Sequence, residues 1–337
     1  MQTSAYLWAE VFFIYFEYHN TMKIKGLFSN RSALFQFGVL IYFAFMGLLF
    51  ASLIDYLVVT ISNYLTGSTP ALLFDRSFYL LQGTQFTSST FIFLMPALCT
   101  AYLCSKKPLG YLNIEKITDI RTLILTAFMV ILISPSIDIT AYMNSKMHLP
   151  EFMSPVESFM RKAEDLAAQV TEKILSEQGV FPFIVNIFIV GIMAGLTEEF
   201  FFRGALTSVI GKKIKNPHIT IWTVAILFSA VHFQFFGFIP RMLLGAFLGY
   251  LLYWTHSIWV PVFAHFLNNS IAVVGYKMGL FETSTEGSSL ITSEMETSEL
   301  FITIAAAIAG LILFVFCAKK MKSISQTKEK EIDSFLE

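Results

Sequence analysis

Long apolar segments separated by short polar ones are the main feature of the chain. A helix that crosses a membrane needs about 20 mostly apolar residues, and eight segments meet this requirement. They lie near residues 34–62, 78–104, 120–141, 181–210, 218–236, 238–256, 258–277 and 299–318. The pattern therefore predicts an all-α fold, a polytopic membrane helix bundle with about eight transmembrane helices.

A second pattern occupies residues 151–177. Apolar side chains recur there at helical spacing, from Val156 through Ala163 and Val170 to Ile174, and charged side chains occupy the other face. This arrangement is typical of an amphipathic helix that lies on a membrane surface. Two roles remain open for the helix: a connector that covers the bundle, or a guide for a substrate.

These patterns divide the chain into six parts. The expected parts are a cytoplasmic N-terminal segment at 1–33, peripheral transmembrane helices at 34–141, an amphipathic connector at 142–180, a transmembrane core at 181–277, an acidic loop and last transmembrane helix at 278–318, and a cytoplasmic tail at 319–337.

The composition agrees with a membrane protein and excludes several functions. Hydrophobic residues make up 55% of the chain and charged residues only 14%, with a formal net charge of −1. This lies far from soluble proteins and offers no basic region for binding nucleic acid. Cys99, Cys104 and Cys317 stand in apolar segments without CxxC spacing, so we expect neither a disulfide framework nor a structural zinc site.

Lysine and arginine are concentrated in alternate loops. The basic residues that define this alternation are Lys23, Lys25 and Arg31, then Lys106, Lys107 and Lys116, then Lys212, Lys213 and Lys215, and finally Lys319, Lys320 and Lys322. Because basic residues mark cytoplasmic loops, we expect both termini in the cytoplasm and, in a bacterium, a multi-pass protein of the plasma membrane. The other side then receives Asp75 and Arg76, the connector 142–180 and the acidic loop 282–299.

Residues 1–21 allow two interpretations. Glu10 and Glu17 interrupt this aromatic stretch and no basic residue precedes them, so a secretory signal is not indicated. The stretch is either an interfacial aromatic helix or an upstream extension from a misassigned start codon, with Met22 as the native start.

Polar residues within the apolar segments form three motifs. The motifs are Glu198-Glu199-Phe-Phe-Phe-Arg203 in the fourth segment, Phe228-Ser-Ala-Val-His232 near the middle of the fifth, and His265-Phe-Leu-Asn-Asn269 in the seventh. An ionisable group deep in a transmembrane helix costs at least about 2.5–3.5 kcal/mol, so such groups usually face a cavity or one another. A single membrane histidine is more often an interhelical hydrogen-bonding residue, but six polar groups at similar depth indicate a functional site.

These residue types suit the hydrolysis of a peptide bond by water. A desolvated carboxylate can take a proton from water near neutral pH, which makes Glu198 the candidate general base. His232 would hold the same water and pass a proton to the departing amine. His265 and Asn269, four residues apart, share a helix face and would donate hydrogen bonds to the oxyanion of the tetrahedral intermediate.

Two features of the same helices are expected to be structural. Glu199 and Arg203 also lie four residues apart, so they share a helix face and should form a buried pair, whereas Glu198 points about 100° away. Two pairs of glycines have the small-xxx-small spacing that lets helices approach closely. These pairs are Gly191 with Gly195 and Gly245 with Gly249.

The three motifs resemble those of the CPBP family, which comprises type II CAAX prenyl endopeptidases and bacteriocin-processing or Abi proteins. The family motifs EExxxR, FxxxH and HxxxN are present in family order, and the likeness extends from about residue 181 to 276. The resemblance implies a catalytic core buried in the membrane, a cavity open toward the cytosol, and glutamate-dependent cleavage without a covalent intermediate or a cofactor. The implied partners are the lipid bilayer and a peptide or lipidated-protein substrate, either prenylated or bacteriocin-like.

Three alternatives remain. Two glutamates and two histidines could bind Zn²⁺ through three ligands, although no HExxH helix is present. A non-catalytic bacteriocin-immunity or membrane scaffold protein could use the same fold to bind a partner. A proton-coupled transporter also uses buried Glu and His, but the segment symmetry expected of one is missing.

Overall fold

A computed structural model of the protein describes residues 24–67, 77–116, 118–280, 282–284, 287–289 and 297–336. Residues 1–21, with both interpretations of the start, lie outside the described residues. So do Asp75, Arg76 and most of the acidic loop.

Helices form nearly all of the described chain. They are α1 Ala33–Thr66, α2 Phe78–Cys104, α3 Ile120–Ser145, α4 Ser154–Ser176, α5 Val180–Lys213, α6 Pro217–Ala230, α7 Phe238–Thr255, α8 Trp259–Lys277 and α9 Thr297–Leu336. Single helical turns occur at Pro108–Tyr111 and Glu151–Met153, and β1 Glu282–Ser284 pairs with β2 Gly287–Ser289 in an antiparallel hairpin. The all-α membrane bundle is thus confirmed, and the amphipathic helix predicted over 151–177 is present as α4.

Within the described residues, six helices are long and apolar enough to cross a membrane: α1, α2, α3, α5, α7 and residues 301–324 of α9. The helix α8 has 19 residues, but its histidine and asparagines lower its hydropathy. The helix α6 has 14 residues and is about 21 Å long, shorter than a hydrocarbon core of about 30 Å. The count of eight spans is therefore not confirmed, and both helices in question carry a motif.

The boundary of the fifth predicted segment was wrong. The sequence predicted one helix over 218–236 with His232 near its middle, whereas α6 ends at Ala230 and His232 lies in a turn. The chain reverses there because Phe233 adopts the left-handed conformation with φ of 53°. Its neighbours Gln234 and Gly237 also interrupt the apolar run.

Local sequence explains several helix ends and irregularities. Ser32, Ser77, Asp119 and Asn216 accept hydrogen bonds from first-turn amides of α1, α2, α3 and α6, as N-cap residues do. Within α2, the wider π-helical turns of Ser89–Leu94 precede Pro96. A proline lacks an N–H and clashes with the carbonyl four residues earlier, so the wider turns accommodate it.

Glycines set the closest helix contacts in the core. A Cβ on Gly195 of α5 would lie 3.0 Å from the backbone nitrogen of Phe266 in α8, and one on Gly245 of α7 would lie 3.2 Å from the Cα of Ala225 in α6. The predicted small-residue spacing thus corresponds to close approach of α5 to α8 and of α7 to α6.

The bundle has two distinct ends. At one end, the α4 face, Asn144 near the end of α3 bonds to Phe235 in the loop between α6 and α7, and Lys277 at the end of α8 bonds to Gln178 after α4. At the other end, the lysine face, segments 105–116 and 211–216 meet the start of α8 and the segment before α1. There the Ile258 amide donates to the Asn113 carbonyl at 3.0 Å, and Lys212 donates to the Arg31 carbonyl at 2.8 Å.

Candidate active site

Glu199 is the centre of a buried ionic network that joins three helices. Its Oε1 accepts hydrogen bonds from Nη1 of Arg203 and from Nδ1 of His265, both at 2.8 Å. Arg203 also donates through Nη2 to the Gly245 carbonyl at 2.8 Å. Glu199 and Arg203 are fully buried. The predicted Glu199–Arg203 pair is therefore present, and it also binds α8 through His265 and α7 through Gly245.

Phe228 packs against this network. The Arg203 guanidinium lies over its ring at 4.5 Å from the centroid, and the His265 ring meets it edge to face with centroids 6.0 Å apart. A guanidinium over an aromatic face is stabilised by the ring quadrupole, more so when water is excluded. The aromatic residue of the second motif thus supports the charged residues of the first and third.

The contacts of His232 define which ring nitrogen carries its proton. Its Nδ1 lies 2.8 Å from the Phe228 carbonyl oxygen. A carbonyl can only accept, so Nδ1 is the donor and Nε2 of the neutral ring keeps a lone pair. Because the ring also packs edge to face on Phe228 at 5.1 Å, His232 has a fixed orientation with Nε2 available to accept a proton.

The two side chains expected to donate hydrogen bonds to the oxyanion, His265 and Asn269, each already make one hydrogen bond within the protein. Nδ1 of His265 faces the Glu199 carboxylate, so its Nε2 can donate only if the ring is an imidazolium. Asn269 donates one Nδ2 hydrogen to the Val190 carbonyl at 2.9 Å and keeps a second. Val190 lies in the π-helical part of α5, Ile187–Met193, a type of irregularity frequent at functional sites.

Glu198 differs from its neighbour in its surroundings. It is partly exposed, whereas Glu199 is fully buried. Its carboxylate interacts electrostatically with His232 and Arg241. Among the residues that the structure describes, no group donates a hydrogen bond to it. One carboxylate of the pair is thus bound within the buried network, and the other is partly exposed and interacts electrostatically with His232.

The loop that carries His232 is held by residues that the sequence analysis did not identify. Buried Asn144 donates to the Phe235 carbonyl at 3.3 Å and accepts from the Ile239 amide at 2.8 Å. Buried Glu164 of α4 accepts from the Phe236 amide at 3.0 Å.

A sequence signal for Glu164 existed. It lies four residues after Met160 and three before Ala167, so a carboxylate interrupts the apolar stripe of α4. Burial raises the pKa of Glu164, although the Phe236 amide and nearby Arg241 and Arg161 oppose this shift.

The motif residues are closed off toward the lysine face. A cluster of buried side chains fills the space between the Glu199 network and that end of the bundle. Its members include Leu112, Ile114, Phe200, Phe202, Ile258 and Trp259. Toward the α4 face the side chains become accessible: Glu198, His232 and Asn269 are partly exposed, and Phe233 beside His232 is 84% exposed. The partly exposed motif residues therefore lie on the side of the buried network that is away from this apolar cluster.

Metal ligation has limited geometric support. Within the described part of the chain, no three His, Cys, Asp or Glu side chains form a group that could hold a metal ion. Both histidines nevertheless donate Nδ1–H to an oxygen acceptor and leave Nε2 free to ligate, an arrangement common among metal-binding histidines.

Comparisons with known proteins match the motif-bearing segment. Residues 180–271 match the family described as type II CAAX prenyl endopeptidase Rce1-like. The chain is also similar to the uncharacterized protein YpbD of Bacillus subtilis (strain 168), with 28% identity over 106 residues. That alignment covers 30% of this chain and 49% of YpbD, so the chain spans about half the length of this curated relative. No solved structure matches the chain.

The family resemblance that the three motifs indicated is confirmed over residues 180–271. All seven predicted site residues, from Glu198 to Asn269, lie inside this Rce1-like segment.

Proposed function

We propose that this protein is an intramembrane endopeptidase in which Glu198 and His232 activate water for the hydrolysis of a peptide bond. The proposal rests on one observation: the two adjacent glutamates differ in their hydrogen bonds and in their exposure. Oε1 of Glu199 accepts hydrogen bonds from Arg203 and His265, whereas Glu198 is partly exposed and lies close enough to His232 for an electrostatic interaction. A scaffold has no need for an accessible carboxylate beside an oriented imidazole, but a general base does.

The proposed reaction assigns one role to each group. Glu198 takes a proton from a water that also donates to Nε2 of His232, and the hydroxide attacks the carbonyl carbon. The second Nδ2 hydrogen of Asn269 and, in its imidazolium form, Nε2–H of His265 stabilise the oxyanion. The proton then passes from Glu198, directly or through His232, to the departing nitrogen as the C–N bond breaks.

Supporting residues hold this arrangement in place. Arg203 fixes Glu199, and Glu199 in turn orients His265 through Nδ1. Phe228 positions His232 through its carbonyl and its ring. The family name favours a peptide or lipidated-protein substrate.

The test compares wild type with Glu198→Gln in the same membranes, by mass spectrometry of peptide ends. The amide has the size of the carboxylate but cannot take a proton at pH 7, so we expect a folded protein without cleavage. His265→Ala and Asn269→Ala should each retain a residual rate, lowered about 10²–10³-fold. Full activity of Glu198→Gln would exclude the proposed base.

The same samples separate the two remaining alternatives. A zinc enzyme, which the free Nε2 atoms of both histidines keep open as a second candidate, would lose activity on exhaustive chelation and regain it with Zn²⁺. A scaffold or immunity protein would keep its cellular effect in Glu198→Gln. We expect activity that survives chelation and a cellular effect that Glu198→Gln abolishes.

A further inference from the structure

We propose that one apolar side of α4 is seated in the lipid of the membrane surface while its inward side holds the loop that carries His232. The lipid bilayer would thereby control the order of the candidate active site. This inference deepens the proposed function, because its consequence for cleavage rests on the role given there to His232. The contacts that connect lipid to the loop are those of Arg161 and Glu164.

The side chains of α4 divide into three sectors, each about a third of the circumference from the next. The inward sector is buried or half-buried and consists of Glu157, Met160, Arg161, Glu164 and Leu175. The apolar sector is exposed and consists of Val156, Phe159 and Leu166. The polar sector is also exposed and consists of Ser158, Lys162, Gln169 and Glu172.

This division identifies lipid as the medium beside the apolar sector. A helix between protein and water needs two faces, an apolar one turned inward and a polar one turned outward. In α4 an apolar sector is also turned outward, with Phe159 73% exposed. A helix that lies in the plane of the membrane surface, at the rim of a bundle, meets protein, lipid and water on three different sides.

The position of α4 in the bundle agrees with this interpretation. Ile174 near its end packs with Leu81 near the start of α2 and with Val273 of α8. Tyr79 and Phe181, in the first turns of α2 and α5, are exposed, and their ring centroids lie 6.4 Å apart. Exposed aromatic residues at the ends of spans mark the boundary between hydrocarbon and head groups. The end of α4 therefore lies at the depth of this boundary.

The inward sector is joined to the loop after α6 by two contacts with one residue. The Arg161 guanidinium lies over the Phe236 ring at 4.0 Å from its centroid, and Glu164 accepts the Phe236 amide at 3.0 Å. Arg161 is fixed in turn by Glu157, whose Oε1 accepts from its Nε at 2.9 Å. Phe236 follows His232 by four residues, so α4 holds both the backbone and the ring of the loop that positions His232.

Seating of α4 and order of the loop should therefore form one equilibrium. While lipid holds the apolar sector, Arg161 and Glu164 remain within reach of Phe236. When the apolar sector leaves the lipid, both contacts are lost together and the loop is released. A bilayer that binds the seated state better than the released one shifts the protein toward an ordered loop.

Spin labelling tests the seat itself, without any assumption about catalysis. Val156→Cys in the apolar sector and Ser158→Cys in the polar sector would each carry a nitroxide, after replacement of Cys99, Cys104 and Cys317 by alanine. In nanodiscs of phosphatidylethanolamine and phosphatidylglycerol, we expect the Val156→Cys label to be relaxed mainly by oxygen and the Ser158→Cys label mainly by a water-soluble nickel complex. Equal exposure of both labels to nickel would overturn the proposal. Shielding of the Val156→Cys label from both reagents would place a protein surface there and would also overturn it.

A matched pair of charge variants tests the connection to the loop. Phe159→Glu adds a charge to the apolar sector, and Ser158→Glu adds the same charge to the polar sector of the same turn. In Phe159→Glu, amides of residues 231–239 should exchange with deuterium about 10-fold faster, because burial of a phenylalanine side chain in an apolar medium contributes at least that factor. Ser158→Glu should exchange like wild type. Equal exchange in the two variants would contradict the connection.

A background without the two contacts tests the route. With Arg161→Ala and Glu164→Ala combined, the loop is already released, so adding Phe159→Glu should change its exchange no further. A full additional effect would show that α4 does not act through Phe236 and would refute the proposed route.

Mass spectrometry of peptide ends in cells tests the consequence for cleavage. Ends that depend on Glu198 should be less abundant with Phe159→Glu than with Ser158→Glu, and equal abundance would exclude control of the site by lipid. If no end depends on Glu198, the proposed endopeptidase function fails. The labelling and exchange results then still decide whether lipid seats α4 and orders the loop.

Discussion

Glu164 should control the position of His232 by the reach of its side chain rather than by its charge. Its Oε2 accepts the Phe236 amide at 3.0 Å, and both residues are buried. Phe236 follows His232 by four residues in a loop that also contains Phe233 at positive φ. A residue in this conformation is strained and persists only where its surroundings hold it, so loss of the Glu164 contact should release the loop.

The magnitude follows from the buried amide that loses its acceptor. Leaving such a donor unsatisfied costs about 1–3 kcal/mol, which corresponds to a change of about 5- to 150-fold in an opening equilibrium. In Glu164→Ala, amides of residues 231–239 should therefore exchange with deuterium faster by that factor. If the proposed mechanism holds, kcat should fall while KM stays nearly constant, because His232 is displaced and the substrate contacts are not.

Three further variants distinguish the effect of side-chain reach from the effect of charge. Glu164→Gln keeps an acceptor at the same reach and should behave like wild type. Glu164→Asp keeps the charge but is one methylene shorter, so it should behave like Glu164→Ala. Glu172→Ala, on the exposed side of the same helix, is the matched control and should change neither measurement. Rescue by Asp but not by Gln would show that charge near Arg241 and Arg161 is what matters, contrary to this explanation.

Further predictions concern helix approach, the ionic network and pH. Gly195→Ala should lower folded yield, because its Cβ would lie 3.0 Å from the Phe266 backbone nitrogen. The control Gly211→Ala, in the same helix, meets nothing within 4 Å and should be stable. Equal yields of the two variants would contradict this packing. Arg203→Ala should lose about 3–5 kcal/mol of stability, because it leaves the buried Glu199 carboxylate without its cation, and an unchanged thermal unfolding temperature would refute this. The raised pKa of Glu164 means that its ionised form opposes folding, so wild type should gain stability relative to Glu164→Gln as pH falls from 7 toward 4.5. A constant difference in unfolding temperature over this range would exclude the effect.

The sequence by itself determined the fold class and the segments that carry the three polar motifs. Apolar segments long enough to cross a membrane must form helices, because only there are all backbone groups satisfied in lipid. Spacing of four residues placed Glu199 beside Arg203, since i and i+4 share a face in any helix. These are local consequences of the chain, so no tertiary information was needed to derive them.

Only the tertiary structure decided how the motifs meet and where α6 ends. His265 lies 66 positions from Glu199, and nothing in either motif indicates that they share a hydrogen bond. The end of α6 at Ala230 was equally hidden, because Val231, Phe233, Phe235 and Phe236 continue the apolar run past the turn. The contacts of Asn144 and Glu164 depend on α3 and α4 docking against this loop. Hydropathy records how apolar a residue is, whereas loop position and access depend on packing between helices distant in sequence.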